Sequence, residues 1–571
     1  MTFPRASGVL LHPTSLPGPH GSGDLGPAAY HFVDWLVTAR QRLWQILPLG
    51  GIGPGNSPYM SSSAFAGNVL LIDLAELQQL GWLAADALAK PPVPAVNSPR
   101  QIDFAKMVPW RMQRLADAAT TFAATRRGAG LPAAKFANSA NSANSANAAA
   151  SANAAHQADS AAYDTFCAAQ ADWLDDYALF MALCEATGWA DWSSWSGGLA
   201  QRDPAALAAA RTQHAERINF WRFCQWCFFR QWAALRAHAH AKDVKIVGDA
   251  PIFIAYQSAA VWARQDLFVL DEAGRPTVVA GVPPDYFSAT GQRWGNPLYR
   301  WPAHAAAGYA WWVQRVRRTL ELVDIVRIDH FRGFADYWEI PATEPTAEKG
   351  RWLLGPGAAL FAAIAAALGP VPVIAEDLGQ LSPAVKELMA ATGFPGMAIL
   401  QFAFAGDARD AFLPHNHHHH GVVYTGTHDN DTTVGWWAAA TDHERHHARA
   451  YLGTDGHDIA WAMMRAACAS VADTVVHPMQ DILSLPTEHR MNLPGSPSGW
   501  WVWRFEWRQV HAWHGQRLAE MTRLYGRSPP PERLRRPLQA APGQRPSPSA
   551  GGNASGPAER VPRRLLGCTA A

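Results

Sequence analysis

No run of about 18 apolar residues occurs in this chain, so no membrane-spanning helix is expected. The apolar stretch after Arg5, Gly8-Val9-Leu10-Leu11, is too short for the core of a secretion signal and reads as a first strand. An excess of one charge is lacking as well. With 48 Lys and Arg against 47 Asp and Glu, no broad basic surface for nucleic acid is implied. The six cysteines are scattered and form no disulfide framework. Cys224 and Cys227 have C-x-x-C spacing but lie in an aromatic, helix-like run with no second pair, so they read as core thiols. Such cysteine usage suits a cytoplasmic protein. The glycines from Gly50 to Gly55 lack the Lys and following helix of a phosphate-binding loop. His417 to His420 sit in a loop without Cys or carboxylate partners at metal spacing, so neither a metal nor a cofactor is expected.

What is present is a large apolar inventory. Hydrophobic residues make up 49% of 571 residues, enough for an extensive core. Eight apolar stretches read as buried strands: Gly8 to Leu11, Leu43 to Leu47, Val244 to Gly248, Asp324 to Ile328, Val371 to Ala375, Ala398 to Phe402, Val422 to Thr425 and Thr474 to His477. Helical stretches separate most of them, and this alternation predicts an α/β fold, a (β/α)8 barrel. Residues 1–82 and 239–527 supply the barrel. Between them, 83–238 reads as a mostly helical insertion, too long for one loop. Its Asn/Ser/Ala tract near 137–162 has few large apolar residues and is expected to be a disordered surface loop. Residues 528–571, rich in Pro, Arg, Gly and Ser, read as a disordered tail. Tryptophan is abundant at 26, and it can fill cores or cover apolar sugar faces. Trp311-Trp312 and the cluster Trp500-Trp501-Val502-Trp503 are expected to be structural.

Three carboxylates follow apolar runs: Asp329, Glu376 and Asp429. In a barrel these positions fall on the carboxyl-terminal rim, where reactive groups gather. Alone, each could be a helix cap. Together they suit glycoside chemistry, with one nucleophile, one general acid/base and one group stabilising positive charge at the anomeric carbon. Arg327, two residues before Asp329, faces the same side of its strand and is expected to keep Asp329 ionised. Asp329 and Asp429 are expected to favour protonated Glu376. Asp249 ends the third strand and could bind sugar hydroxyls or act as a cap. Tyr59 could stack on the same sugar, and His428 could donate to its hydroxyls. The segment Gly281 to Tyr299 carries Gln292, Trp294 and further aromatics. It reads as a stiff flap able to exclude water and hold an acceptor.

The residues resemble one family. The matching segments are His12-Pro13-Thr14-Ser15-Leu16-Pro17, Ser57-Pro58-Tyr59, Ser63-Ala64-Phe65-Ala66-Gly67-Asn68, Gly248-Asp249-Ala250-Pro251-Ile252-Phe253 and Gly281 to Ser288. Further on come Gln292-Arg293-Trp294-Gly295-Asn296-Pro297, Arg327 to Gly333, Ala375 to Gly379, Thr427-His428-Asp429-Asn430-Asp431 and Arg490 to Gly495. In this order they resemble 4-α-glucanotransferases of the amylomaltase type, a branch of the α-amylase superfamily. The resemblance implies a barrel with inserted subdomains and transfer of α-1,4-glucan segments between maltooligosaccharides. By matching position it implies Asp329 as nucleophile, Glu376 as acid/base and Asp429 as transition-state stabiliser, with Tyr59, Asp249, Gln292, Trp294, Arg327 and His428 binding substrate. Gln257 stands where the family pattern has Asp, and Val69 where it has Pro. An α-glucan hydrolase on the same barrel and a catalytically silent glucan-binding protein remain the alternatives at this point.

Overall fold

The computed structural model describes residues 3–92, 100–128, 142–284, 288–379 and 381–528. Twelve strands are numbered in chain order: β1 (Ala6–Leu10), β2 (Leu43–Gln45), β3 (Lys245–Pro251), β4 (Val278–Val282), β5 (Gln292–Pro297), β6 (Ile325–Asp329), β7 (Asp336–Pro341), β8 (Arg351–Leu354), β9 (Val373–Ala375), β10 (Gly396–Ile399), β11 (Gly421–Tyr424) and β12 (Thr474–Pro478). Eight of these form a parallel sheet in the order β10-β11-β12-β1-β2-β3-β6-β9. Its two ends meet, because Ala375 N–H donates to the Pro395 carbonyl just before β10 at 3.0 Å. The sheet is a (β/α)8 barrel, and its eight strands fall on the eight apolar runs of the sequence.

Burial on both faces explains why those runs lack an alternating pattern: Val9, Ile46, Ile246, Val247, Val326, Ile374, Val423 and Val475 are all buried. Gly8 lets β1 approach β2 closely, since a Cβ there would lie 2.4 Å from Leu43 Cβ. The sixth run ends earlier than expected. Leu400–Phe402 turns into a tight 3₁₀ helix, and Gln401 reaches across the rim to the Asp431 carbonyl at 2.8 Å.

The insertion after β2 is helical, with long helices at Phe104–Arg126, Ser142–Ala169, Ala171–Ala186 and Ala215–Ala241. Two sequence expectations change here. The Asn/Ser/Ala tract is helical from Ser142, not a loop; residues 137–141 lie outside the described residues. Alanine has the lowest intrinsic cost in a helix, so the tract needs few large side chains along its length. Its last turns are anchored by aromatic contacts, Tyr163 on Phe122 and Phe166 on Phe229, at ring distances of 5.5 and 5.4 Å. The boundary expected at 238 also falls inside the helix Ala215–Ala241, which runs from the insertion directly to β3. Cys224 and Cys227 are fully buried in that helix. The expected tail, apart from Ser528, lies outside the described residues.

A second, antiparallel sheet, β5-β4-β7-β8, rises from the rim between β3 and β9. The expected flap is part of it. Its β4–β5 hairpin carries Gln292 and Trp294, and residues 285–287 lie outside the described residues.

Candidate active site

Asp329 is the last residue of β6, Glu376 follows β9, and Asp429 lies in the loop after β11. All three line one cleft of about 1200 Å³ at the carboxyl ends of the barrel strands, together with Tyr59, Gln292, Trp294 and His428. The cleft floor is built around Arg327. Its guanidinium lies 2.6 Å from Asp249, 3.2 Å from Asp329 and 3.0 Å from Glu376. The Arg327 side chain is 1% exposed and that of Asp249 is 0% exposed. Both therefore lie beneath the cleft surface and reach a sugar only through the groups they hold.

Asp249 also accepts the Tyr59 hydroxyl at 2.9 Å. That hydroxyl has one proton to give, so it accepts from His428 Nε2 at 2.8 Å, which fixes His428 with its proton on Nε2. The Tyr59 and His428 rings stack at 5.3 Å, and Trp501 packs on Tyr59 at 5.6 Å. His428 Nε2 lies 3.4 Å from Asp429. Asp429 is oriented from the loop after β12. Asn492 Nδ2 donates to its carboxylate at 2.6 Å and Arg490 donates to its carbonyl at 2.7 Å.

Glu376 accepts the His330 backbone N–H at 2.6 Å. His330 adopts a left-handed φ of 50°, which turns the chain after β6 so that this N–H points at the carboxylate. Asp329 and Glu376 share the Arg327 guanidinium, so the two carboxyls form one titrating unit. Burial, and then the Glu376 charge, push Asp329 well above the ordinary carboxylate range. Glu376 is buried as well, but the Arg327 charge and the His330 N–H outweigh its desolvation and hold it below its ordinary value. This reverses the sequence expectation of ionised Asp329 beside protonated Glu376. The reason is geometric, because Arg327 is at least as close to Glu376 as to Asp329.

Beside this pair, the Trp294 indole donates to Gln292 Oε1 at 3.2 Å and packs edge-on against His330 at 4.9 Å. Gln257, at the position that departs from the family pattern, is used elsewhere. Its side chain accepts Trp192 N–H at 3.2 Å and donates to Asp191 at 2.6 Å, tying β3's loop to the insertion. Sequence reasoning missed Asn492, which sits 63 residues from the carboxylate it holds, and the His330 N–H, which has no side-chain signature. Trp500 and Trp501, expected to be structural, both line the cleft, and Trp501 is at the same time buried in the core. Trp311 and Trp312 are buried. In the four-histidine run, His417 bonds Ser470 and the Phe412 carbonyl, and His420 bonds the Gly393 carbonyl. Among the described residues, no group of three or more His, Cys, Asp or Glu is placed to hold a metal ion.

A (β/α)8 barrel whose rim joins a carboxyl pair held on one guanidinium, a third oriented carboxylate and an aromatic-lined cleft defines an enzyme class that works on glycosidic bonds. A family model described as 4-alpha-glucanotransferase matches residues 11–509. A 4-alpha-glucanotransferase of Thermus thermophilus is 47% identical over 529 residues, covering 91% of this chain and 99% of that protein. One from Synechocystis is 44% identical, covering 92% and 98%. The solved amylomaltase from Streptococcus agalactiae, in complex with acarbose, superposes with a TM-score of 0.84 at 36% identity, covering 92% of this chain and 100% of that one. The chain belongs to the 4-alpha-glucanotransferase family and is a glycosyl-transferring enzyme.

Proposed function

We propose that Asp329, Glu376 and Asp429 carry out a retaining double displacement that moves α-1,4-glucan segments between maltooligosaccharides or starch-like glucans. The observation that carries this reading is the placement of Asp329 and Glu376 on one guanidinium, with Arg327 3.2 Å from the first and 3.0 Å from the second. Inverting enzymes hold their carboxyls about 6.5–9.5 Å apart to admit a water, whereas retaining ones hold them at about 5–5.5 Å. Two carboxyls gathered on one guanidinium suit the closer, second arrangement.

In the first step Asp329 attacks the anomeric carbon, Glu376 gives its proton to the departing glycosidic oxygen, and a covalent glycosyl-enzyme forms. In the second, Glu376 takes the proton of the acceptor hydroxyl as that oxygen displaces Asp329. The reactive form of the pair is singly protonated with the proton on Glu376. A glycosidic oxygen lodged against Glu376 accepts a hydrogen bond only from that form and so favours it. Asp429, held by Asn492, stabilises positive charge at the anomeric carbon. His428 and Tyr59 hold the transferred sugar, and Arg327 and Asp249 act as positioning residues beneath them. Gln292 and Trp294 cover the reacting bond, so that the glycosyl-enzyme meets a sugar hydroxyl in preference to water.

No helix among the described residues is long and apolar enough to cross a membrane. The scattered free thiols favour a cytoplasmic location.

Incubation with maltotriose alone tests the activity. Transfer breaks one bond for each bond made, so glucose and a ladder of longer oligosaccharides should form while reducing ends stay constant. Reducing ends that rise in step with maltotriose loss would identify a hydrolase instead.

A further inference from the structure

The barrel order places β6 and β9 across the mouth from β12 and β1. Tyr59, His428, Asp429 and Trp501 belong to the loops after β2, β11 and β12. Arg332, Ser382 and Trp352 line the cleft from the side of β6 and β9, the strands that end at Asp329 and just before Glu376. Trp352 stands out there. It lies on the edge strand β8 and is 40% exposed, and Leu354, on the same strand face, is 76% exposed.

The ring is nonetheless held in place. The Arg332 guanidinium lies 4.0 Å from its centroid, and Trp338, directly across the strand pair, meets it edge-on at 5.3 Å. Arg332 is itself fixed by Asp336 at 2.6 Å, and Asp336 also accepts the Ser382 hydroxyl. One carboxylate thus ties together the loop that follows Asp329, the loop carrying Glu376 and the small sheet. A tryptophan held rigidly at a cleft wall, with one face under a guanidinium and much of its surface open, has the form of a stacking surface for the apolar face of a sugar.

We infer that Trp352, held by Arg332 and Trp338, is an acceptor platform that stacks on a glucose unit beyond the one whose hydroxyl attacks. This rests on the transferase reading above. Glu376 protonates the leaving oxygen and deprotonates the acceptor, so leaving-group and acceptor sugars lie on its side of the reacting bond. A single glucose acceptor ends before the platform, while a longer acceptor spans it.

The test uses α-maltosyl fluoride as donor, whose leaving group occupies no acceptor position, with glucose, maltose, maltotriose and maltotetraose as acceptors. Trp352→Ala should raise the half-saturating concentration of the longer acceptors about ten-fold, the size of one aromatic contact. It should leave that of glucose, and hydrolysis of the fluoride without acceptor, within about two-fold. Trp352→Phe, which keeps a ring, should remain within about three-fold of wild type for every acceptor and guards against a folding defect. An equal loss for glucose and maltotetraose, or no loss for any acceptor, would overturn the platform. Absence of transfer by the wild-type enzyme to any acceptor would overturn the transferase reading and the platform with it.

Discussion

Asn492 donates its side-chain amide to the Asp429 carboxylate at 2.6 Å and so fixes the third carboxylate from a different loop. A carboxylate that must act on charge developing at the anomeric carbon gains by being oriented before the reaction begins. Asn492→Ala should lower kcat by about 10–100-fold with little change in KM, since the lost contact positions Asp429 for the transition state. Steady-state kinetics on maltotriose read this split. A rise in KM at unchanged kcat would show that Asn492 serves ground-state binding instead.

Asp329 should govern the pH dependence of stability as well as turnover. Burial and the Glu376 charge raise its carboxyl well above its ordinary value. An unfolded aspartate titrates near about 3.9. Between that value and the raised native one, the folded chain keeps a proton that the unfolded chain has released, so stability falls as pH rises through this window. Asp329→Asn has no such proton to lose. It should be inactive, and its Tm advantage over wild type should widen as pH rises above about 4. A Tm difference that stays flat or narrows over that range contradicts the raised value.

Arg327 sits among three carboxylates, Asp249, Asp329 and Glu376, at 2.6 to 3.2 Å. Removing its charge leaves buried carboxylates uncompensated, which costs about 3–5 kcal/mol. Arg327→Met should lose stability of that order in urea unfolding and lose activity. Arg327→Lys should recover part of the stability but little activity, because one ammonium cannot span Asp329 and Glu376 as a fork does. Full activity in the Lys variant would remove Arg327 from the positioning role.

The sequence disclosed the barrel through eight apolar runs, and the carboxylates through their place after those runs. Both signals are local. What it could not disclose depends on contacts between distant segments. Asp249 ends a strand and by sequence could bind a sugar or act as a cap; its side chain is buried, held by Arg327 and Tyr59. The protonation pattern of Asp329 and Glu376 reversed because Arg327 reaches both and the His330 turn adds an N–H to Glu376 alone. The Asn/Ser/Ala tract was misjudged from composition. Alanine's low helical cost accounts for its local structure, and Tyr163 and Phe166, just beyond it, pack on Phe122 and Phe229.

The acid/base role of Glu376 separates cleanly by leaving group. Glu376→Gln keeps the size of the side chain but has no proton to give. It should lower glycosylation by maltotriose at least about 10²-fold, the scale of general acid catalysis. With an α-glycosyl fluoride, whose leaving group needs little acid help, the same step should fall far less. Rapid-quench measurement of the first turnover isolates that step from deglycosylation, which still needs Glu376 as base. Equal losses for both donors would exclude Glu376 as the acid.

Trp294 tests how the cleft chooses a hydroxyl over water. Its indole is held by Gln292 and packs edge-on against His330, whose own backbone N–H grips Glu376. The ring therefore stands beside the reacting pair, where it both shields the glycosyl-enzyme and contacts the acceptor. Trp294→Ala should raise the ratio of hydrolysis to transfer several-fold, because water gains access while acceptor binding weakens. The ratio is read as reducing ends gained per maltotriose consumed. Trp294→Phe, which keeps an apolar ring without the indole N–H, should fall between wild type and Ala. If the Ala variant loses transfer and hydrolysis in equal proportion, the indole serves binding alone and water exclusion must come from elsewhere on the β4–β5 hairpin.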